Sequence, residues 1–594
     1  MDYVRHNVLR EDGPKGEIFL RSGYEASAPV SKTTDWLHHW ASERPNAIFL
    51  AERSGPVWRE VHYGEALERV RALAAGLVAR GMGPDTRILI LSGNGIDHGL
   101  LSLAAQYVGV PTVPVAEPYS LVPDAQVQLK YILELIEPTM VFAEDGAKFA
   151  SALALDEMQG REIVVSQNAA PGMTQLSDLT KERAEIDPVA AKVGPETVAK
   201  ILMTSGSTSN PKGVLTSQRM MCTNQAMYGD ALPALTARPP VIVDWLPWNH
   251  VFGGSFSFNQ MLAFGGSLYI DGGKPAPALI GQTIENLKMV PSNLAYNVPV
   301  GFALLRDAMR EDAELRAKFF ADLDLIFYAG ASLPRDVWDD LRAMCLAERG
   351  DLPLVTTCWG LTETAPACIF QHGPLEEPGV VGVPLTGTVV KLVPEDLPRF
   401  EVRVKGPNVF SGYYKDPEKT VDAFDGEGYF CTGDAMTLVD PDDMSKGLRF
   451  DGRISEDFKL STGIWVRAAS LRLEILVALA SLAADVVITG ADRDEVGVLI
   501  FPTPAVTEKL TADEGILLPE EFEIEIASRL AKLSAGKGSS ARITRAIILA
   551  EPPSMAEGEI TAKGNLNFRK LLSRRADILT RLYAGAATGI IIVR

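Results

Sequence analysis

The chain has no run of about 18 or more apolar residues, the least that spans a membrane as a helix. Its opening stretch, MDYVRHNVLREDGPKG, lacks the apolar core of an export signal. No internal repeat and no low-complexity tract occurs. The five cysteines (222, 345, 358, 368 and 431) never take C-x-x-C spacing, which speaks against a zinc cluster or a disulfide framework and for a reducing, cytoplasmic compartment. Positive charge is short: 57 Lys and Arg against 76 Asp and Glu leave a net charge of −19, which disfavours a nucleic-acid partner because such a partner needs a basic face. Small anions are not disfavoured, since a few local cations suffice to hold a nucleotide. Two widespread phosphate loops are also missing. Lys212 is followed by Gly213, so there is no G-x-x-x-x-G-K-S/T, and no G-x-G-x-x-G opens a helix.

What is present is large and layered. At 594 residues and 46% hydrophobic content, the chain is soluble, globular and too long for one core. Residues 64–80 place Leu67, Val70, Leu73 and Leu77 three or four apart, which predicts a helix with one apolar stripe, stopped by Gly81, Gly83 and Pro84. RILILSG, IDHGLLSLAAQYV and VPTVPV then read as strand, helix and strand, and the same rhythm returns from residue 293 to 360. Such alternation predicts a parallel sheet covered by helices. From about residue 450 the texture changes. DVVITG and EVGVLIFP read as paired strands, FEIEIASRLAKL as a helix, ARITRAIIL as a strand and FRKLLSRRADILTRLY as one last amphipathic helix. The expected architecture is a large α/β unit over 1–451 followed by a small α+β unit over 452–594.

Five clusters carry candidate chemistry. In MTSGSTSNPKG, Thr204, Ser205, Gly206, Ser207, Thr208 and Lys212 combine backbone N–H access, hydroxyl donors and one ammonium, the groups that wrap a phosphate chain; a polar surface turn has the same composition. YAGASLP leaves a strand through Gly330 and Ala331 with room for a flat ligand against bare backbone. CWGLTET offers the ring of Trp359, the backbone of Gly360, the hydroxyl of Thr362 and the carboxylate of Glu363. Taken singly, Trp359 also suits a core and Glu363 a solvated surface. In YFCTGD, Asp434 can accept from a vicinal diol or merely sit in a turn, and FDGRISEDFKLSTG sets Arg453 and Lys459 on either side of the change in texture. Jointly these are partners for MgATP, whose metal needs only one or two carboxylates besides phosphate oxygens.

With TSGSTSNPKG against T-S-G-S/T-T-G-x-P-K-G, WGLTET against Y-G-x-T-E, TGD, and DGRISEDFKLSTG against G-R-x-x-D-x-I-K-x-x-G, the chain resembles the adenylate-forming superfamily of acyl-CoA synthetases, aryl-acid CoA ligases, luciferases and peptide-synthetase adenylation domains. The likeness runs in order from about residue 35 to 572. Within that superfamily, TTDWLHHWASERPNAIFLAERSG, DWLPWNHVFGGSFSFN and EDFKLSTGIWV most resemble bacterial feruloyl-CoA synthetases. The absence of a carrier-protein or reductase segment before residue 594 disfavours the peptide-synthetase and carboxylate-reductase branches.

The resemblance implies an acid–CoA ligase that uses ATP, Mg²⁺ and coenzyme A, with a small mobile C-terminal domain rotating about residues 453–456. A homodimer is compatible with it, and no membrane partner is implied. Lys212 and the loop hydroxyls would hold the β- and γ-phosphates, Thr362 the α-phosphate and Glu363 the Mg²⁺. Asp434 and Arg453 would hold the ribose, and Gly330, Ala331 and Trp359 the adenine, with Gly360 also in the cofactor-binding set. Lys459 joins the cofactor-binding set, and Gly463 would approach the pantetheine arm. Lys563 would be the catalytic lysine. It lies six residues before Arg569, whereas the superfamily's G-K-I/L-x-R spaces the two by three, so Lys570 competes for the role. His250 is read as a gate to the acid site or as a buried structural histidine, and the aromatics Trp245, Trp248, Phe252, Phe256 and Phe258 predict a wall for a flat aromatic acid. Three departures stand out: Ser209 for the usual glycine, Trp359 for tyrosine, and the pair Glu456–Asp457 around a single aspartate. Rival readings are an adenylating enzyme that serves a carrier protein or another acceptor, a fatty acyl-CoA synthetase, and a nucleotide-binding scaffold without catalysis.

Overall fold

The computed structural model describes residues 2–204, 211–330, 333–375, 378–479, 481–555, 557–560, 566–585 and 588–594. The short apolar runs form parallel strands because both faces are covered. Ile88–Leu91 is buried throughout and pairs in parallel with Thr112–Pro114 and with Met140–Asp145. The helix Ile96–Tyr107, apolar nearly all round its circumference, is buried on nearly every side. Residues 64–80 become the helix Tyr63–Ala79, with Val70, Leu73 and Leu77 turned inward. These strands belong to a seven-stranded sheet that ends at Val198–Thr204 and its antiparallel partner Lys212–Ser217.

A second ladder of fifteen strands carries the middle of the chain. Its parallel heart is Ser267–Ile270, Val241–Asp244, Leu294–Asn297, Leu325–Tyr328 and Leu354–Gly360. Beyond Leu354–Gly360 the pairing turns antiparallel and reaches Leu448–Arg453, Phe430–Leu438, Arg399–Lys405 and Val389–Asp396. The N-terminal strands Ile18–Ser22 and Val8–Asp12 complete that edge. In open α/β sheets ligands bind beyond the carboxyl ends of the strands, and the ends of Val198–Thr204, Leu325–Tyr328 and Leu354–Gly360 are where three of the five clusters begin.

Four clusters of buried apolar side chains draw on residues up to 448, and two more on residues from 460 onward. The later residues form a mixed sheet. Ala483–Thr489 pairs antiparallel with Val496–Pro502, which runs parallel to Ile543–Leu549. One expectation is corrected here. FRKLLSRRADILTRLY is two helices, Phe568–Arg574 and Ala576–Tyr583, broken at Arg575. The break turns the Arg575 guanidinium inward onto Glu559. All five cysteines are free, and no helix among the described residues is long and apolar enough to cross a membrane.

Candidate active site

Thr204 and Lys212 are register partners on adjacent antiparallel strands. Ser205, Gly206, Ser207 and Thr208 lie outside the described residues, as do Ala331 and Lys563. The Lys212 ammonium stands 4.7 Å from the centre of the Tyr413 ring. The Tyr413 hydroxyl donates to Glu363 Oε1 at 3.0 Å. Backbone pairing fixes this arrangement: Val214 bridges to Tyr413, Tyr414 N–H donates to the Gly213 carbonyl at 2.7 Å and Leu215 N–H to the Gly412 carbonyl at 3.2 Å. Tyr413 was missed in the sequence; its only signal there is the aromatic pair after Gly412.

Glu363 sits in the short turn Thr362–Thr364, held by Phe410 N–H on its carbonyl at 2.9 Å. That turn needs Gly360 ahead of it, because a Cβ there would lie 1.8 Å from the Pro366 carbonyl oxygen. Thr362 is buried and Glu363 half-buried. Next to them, the Trp359 indole N–H donates to Asp434 Oδ2 at 2.9 Å, and Arg453 Nε approaches Asp434 Oδ1 at 3.2 Å. Asp434 and Arg453 are register partners on adjacent strands. Burial pushes the Asp434 carboxyl above its ordinary range, against the pull of Arg453 and the indole. The exchange of tyrosine for tryptophan at 359 thus supplies a donor to a buried carboxylate, and the ring itself is only 7% exposed. Gly330, at φ +89°, lies two residues past the strand Leu325–Tyr328, with open space where a Cβ would point.

The fold therefore brings Lys212, Tyr413, Glu363, Trp359, Asp434 and Arg453 into one neighbourhood. Lys459 lies instead over Trp465 at 4.9 Å, on a small hairpin that includes Gly463 at φ +81°. Lys570 is exposed at the start of Phe568–Arg574, where the Asn567 side chain caps its N–H. Around position 563 the chain is tied at its base. Ile560 bridges to Leu566, Asn567 N–H donates to the Glu559 carbonyl at 2.8 Å, and the Glu559 side chain, 0% exposed, accepts from Arg575 at 2.9 and 2.8 Å and from Ser554 N–H at 2.8 Å.

Most rings of the aromatic stretch are buried. Trp248, Phe256 and Phe258 are 4%, 1% and 4% exposed and pack as core against His98, Tyr228, Tyr296 and Phe327. Half-buried Trp245 donates to Asn297 at 3.1 Å, and half-buried His250 accepts from Phe252 N–H through Nδ1 at 3.2 Å. A π-helical turn, Phe252–Ser257, follows at once. No group of three or more His, Cys, Asp or Glu that could hold a metal occurs among the described residues.

Known proteins share both the sequence pattern and the fold. A model of AMP-binding enzymes matches residues 37–414, and one of the AMP-binding enzyme C-terminal domain matches residues 459–587. A carboxylic acid reductase of Mycobacterium marinum is 25% identical over 590 residues, 90% of this chain and 47% of that protein. The long-chain-fatty-acid–CoA ligase FadD15 of Mycobacterium bovis is 26% identical over 507 residues, 78% of this chain and 81% of that protein. The chain spans about half the length of the reductases it matches. In three dimensions, O-succinylbenzoate coenzyme A synthetase (MenE) from Bacillus subtilis, in complex with AMP, superposes with a TM-score of 0.69 at 17% identity, over 95% of this chain and 100% of that one. With the AMP-binding model covering more than half of its length, the chain belongs to the AMP-binding enzymes.

Proposed function

We propose that the chain is an ATP-dependent carboxylic acid–CoA ligase. The observation that carries this reading is the pairing of two half-sites in one neighbourhood: Lys212, Tyr413 and Glu363 on an anion-binding side, and Asp434 with Arg453 on a diol-accepting side. In the first step an oxygen of the acid attacks the α-phosphorus of ATP, an O–P bond forms, and pyrophosphate leaves with its bridging oxygen. In the second, the coenzyme A thiol loses its proton and attacks the acyl carbon, and AMP leaves. Charge neutralisation and alignment matter more here than acid–base help.

Lys212 and the loop hydroxyls would hold the β- and γ-phosphates, Thr362 the α-phosphate, and Asp434 with Arg453 the ribose. Mg²⁺, held by Glu363 and phosphate oxygens, would supply charge neutralisation. Lys563 would bridge the acid and the α-phosphate, then withdraw as the small domain, 452–594, turns against 1–451. The finer proposal is an aromatic, hydroxycinnamic acid. Its support is the sequence likeness of residues 33–55, 244–259 and 456–466 and the half-buried Trp245 and His250, since the other aromatics of that stretch are core. A second reading, transfer to a carrier-borne thiol, draws on the match of a carboxylic acid reductase to 90% of this chain.

The test is acid-dependent pyrophosphate release over a panel of ferulate, coumarate, cinnamate, benzoate, acetate and palmitate, with and without coenzyme A. Acyl-CoA formed fastest from ferulate or coumarate is expected. Turnover of palmitate or acetate far above both would sink the aromatic assignment, and release that ignores coenzyme A would favour the carrier reading.

A further inference from the structure

Two buried charges stand at the π-helical turn that follows His250, and neither has an ionic partner among the described residues. Lys200 is 5% exposed, and its ammonium donates to the carbonyl of Gly254. Asp244 is 0% exposed and accepts from the Ser257 hydroxyl and from Leu246 N–H, the latter at 2.9 Å. The turn between them presses against bare backbone. A Cβ on Gly254 would lie 2.1 Å from the Trp248 carbonyl oxygen, and one on Gly253 2.3 Å from that of Leu246. Gly254 N–H in turn donates to the His250 carbonyl at 2.8 Å. A π-helical turn shifts carbonyls off their usual acceptor pattern, and Lys200 donates to one of them.

Stability does not explain these groups. A buried charge without a counter-charge costs more than an apolar side chain of the same volume. Their placement does have a geometric meaning. Lys200 lies on the strand Val198–Thr204, which delivers the phosphate loop, and Asp244 ends the strand Val241–Asp244, which leads into Trp245 and His250. The turn is thus pinned at one end to the nucleotide strand and at the other to the strand that opens the acid-site segment.

We propose that Lys200 and Asp244 are positioning residues that hold the His250–Ser257 segment as one wall of the carboxylic-acid site, so that their charges govern affinity for the acid and not for ATP. This rests on the ligase reading above. The charge state of both groups lies close to neutrality of the medium: burial lowers Lys200 to about 8 and raises Asp244 to about 7. Two groups facing them, His98 and Tyr296, do not titrate in that window. His98, on the helix beside Lys200, is held down to about 4 by burial. Tyr296 is pushed far up, also by burial. Asp271, which faces Asp244, is tied to Thr283, Asn286 and Gly273 N–H.

The experiment measures KM for the acid and for MgATP by pyrophosphate release from pH 6.5 to 9, with full-length protein and an acid that carries no second titrating group (cinnamate, benzoate or palmitate). In the unaltered chain, KM for the acid is expected to rise above about pH 8 as Lys200 loses its proton, while KM for MgATP stays level. Lys200→Met should raise KM for the acid roughly tenfold, the size of one charged hydrogen bond, and abolish that limb; Lys200→Arg should recover part of the affinity. Ser257→Ala, a milder change that cuts the Asp244 contact, should raise KM for the acid by about threefold to tenfold. A level acid KM in the unaltered chain overturns the proposal. So do variants that lose thermal stability with both KM values unchanged, or in which the two KM values rise together. If the unaltered chain releases no pyrophosphate with any acid, the ligase reading itself falls and takes this inference with it.

Discussion

Replacing Glu559 by glutamine removes one charge and keeps the shape of a side chain that ties down the base of the segment carrying Lys563. The carboxylate is 0% exposed and faces Arg575, which is 5% exposed, as well as Arg574 at 3.1 Å. Burial works against the charged form, but the two arginines and Ser554 N–H outweigh it and hold Glu559 down from 4.5 to about 2. At about 1.4 kcal/mol per unit of pKa that is a stabilisation of about 3 kcal/mol. Breaking a buried ion pair from one side costs about 3–5 kcal/mol, an independent figure of the same size. Arg575 would keep its bonds to the Glu551 and Pro552 carbonyls, both 2.9 Å, so the lower end is expected.

Amide hydrogen exchange of the full-length chain at pH 7 reads this directly. Peptides covering 543–549 and 568–583 should exchange roughly a hundredfold faster in Glu559→Gln, and those covering 88–114 should not change. The sign with pH follows from the depressed pKa. The contribution is present above about 4.5 and is lost as pH falls toward about 2, so the two proteins should converge in urea resistance in that range. Equal protection at pH 7, or a difference that persists in acid, would refute the reasoning.

Lys212→Ala should raise the MgATP requirement roughly tenfold or more and leave the fold intact; an unchanged ATP dependence in a folded variant returns the loop to a surface turn. Lys563→Ala should slow adenylation by about two to three orders of magnitude and leave thioester formation from supplied acyl-adenylate nearly normal in single-turnover kinetics. Ser455→Pro should show the reverse, and loss of adenylation in Lys570→Ala instead would move the catalytic role to Lys570. Asp434→Ala removes the acceptor that Trp359 and Arg453 both hold, so AMP binding by calorimetry should weaken roughly tenfold; an unchanged affinity would mean that the carboxylate serves packing alone.

The parallel sheets were readable because strands such as Ile88–Leu91 and Leu325–Tyr328 are continuous apolar runs between turn residues, and a run buried on both faces has no other reading at that length. The motif residues were readable by order and spacing. What escaped the sequence depends on contacts far along the chain. Tyr413 matters through Glu363, fifty positions away, and no local pattern announces that. Composition does not tell which side a ring of the aromatic stretch faces, and Phe252 and Phe256 pack against Tyr296 and Phe327, far along the chain. The last helix looked continuous because FRKLLSRRADILTRLY keeps a helical period through Arg575, whereas the pull of buried Glu559 decides the break. Lys200 is a single charge inside an otherwise apolar stretch of its strand, and no local pattern tells what its ammonium meets.

The backbone pairing between Lys212–Ser217 and the stretch around Tyr413 constrains how this enzyme can be re-engineered. Gly213 has no room for a side chain: an added Cβ would meet Ile201 at 2.8 Å and Tyr414 at 3.2 Å. A replacement for the segment before Lys212 taken from a relative would bring its own outgoing strand, and that strand must accept the same neighbour at the same height. Segments 212–217 and 410–416 therefore form one exchangeable cassette although some two hundred residues separate them, and chimeras that cross over between the two should lose Glu363 placement even when each half is native to its parent.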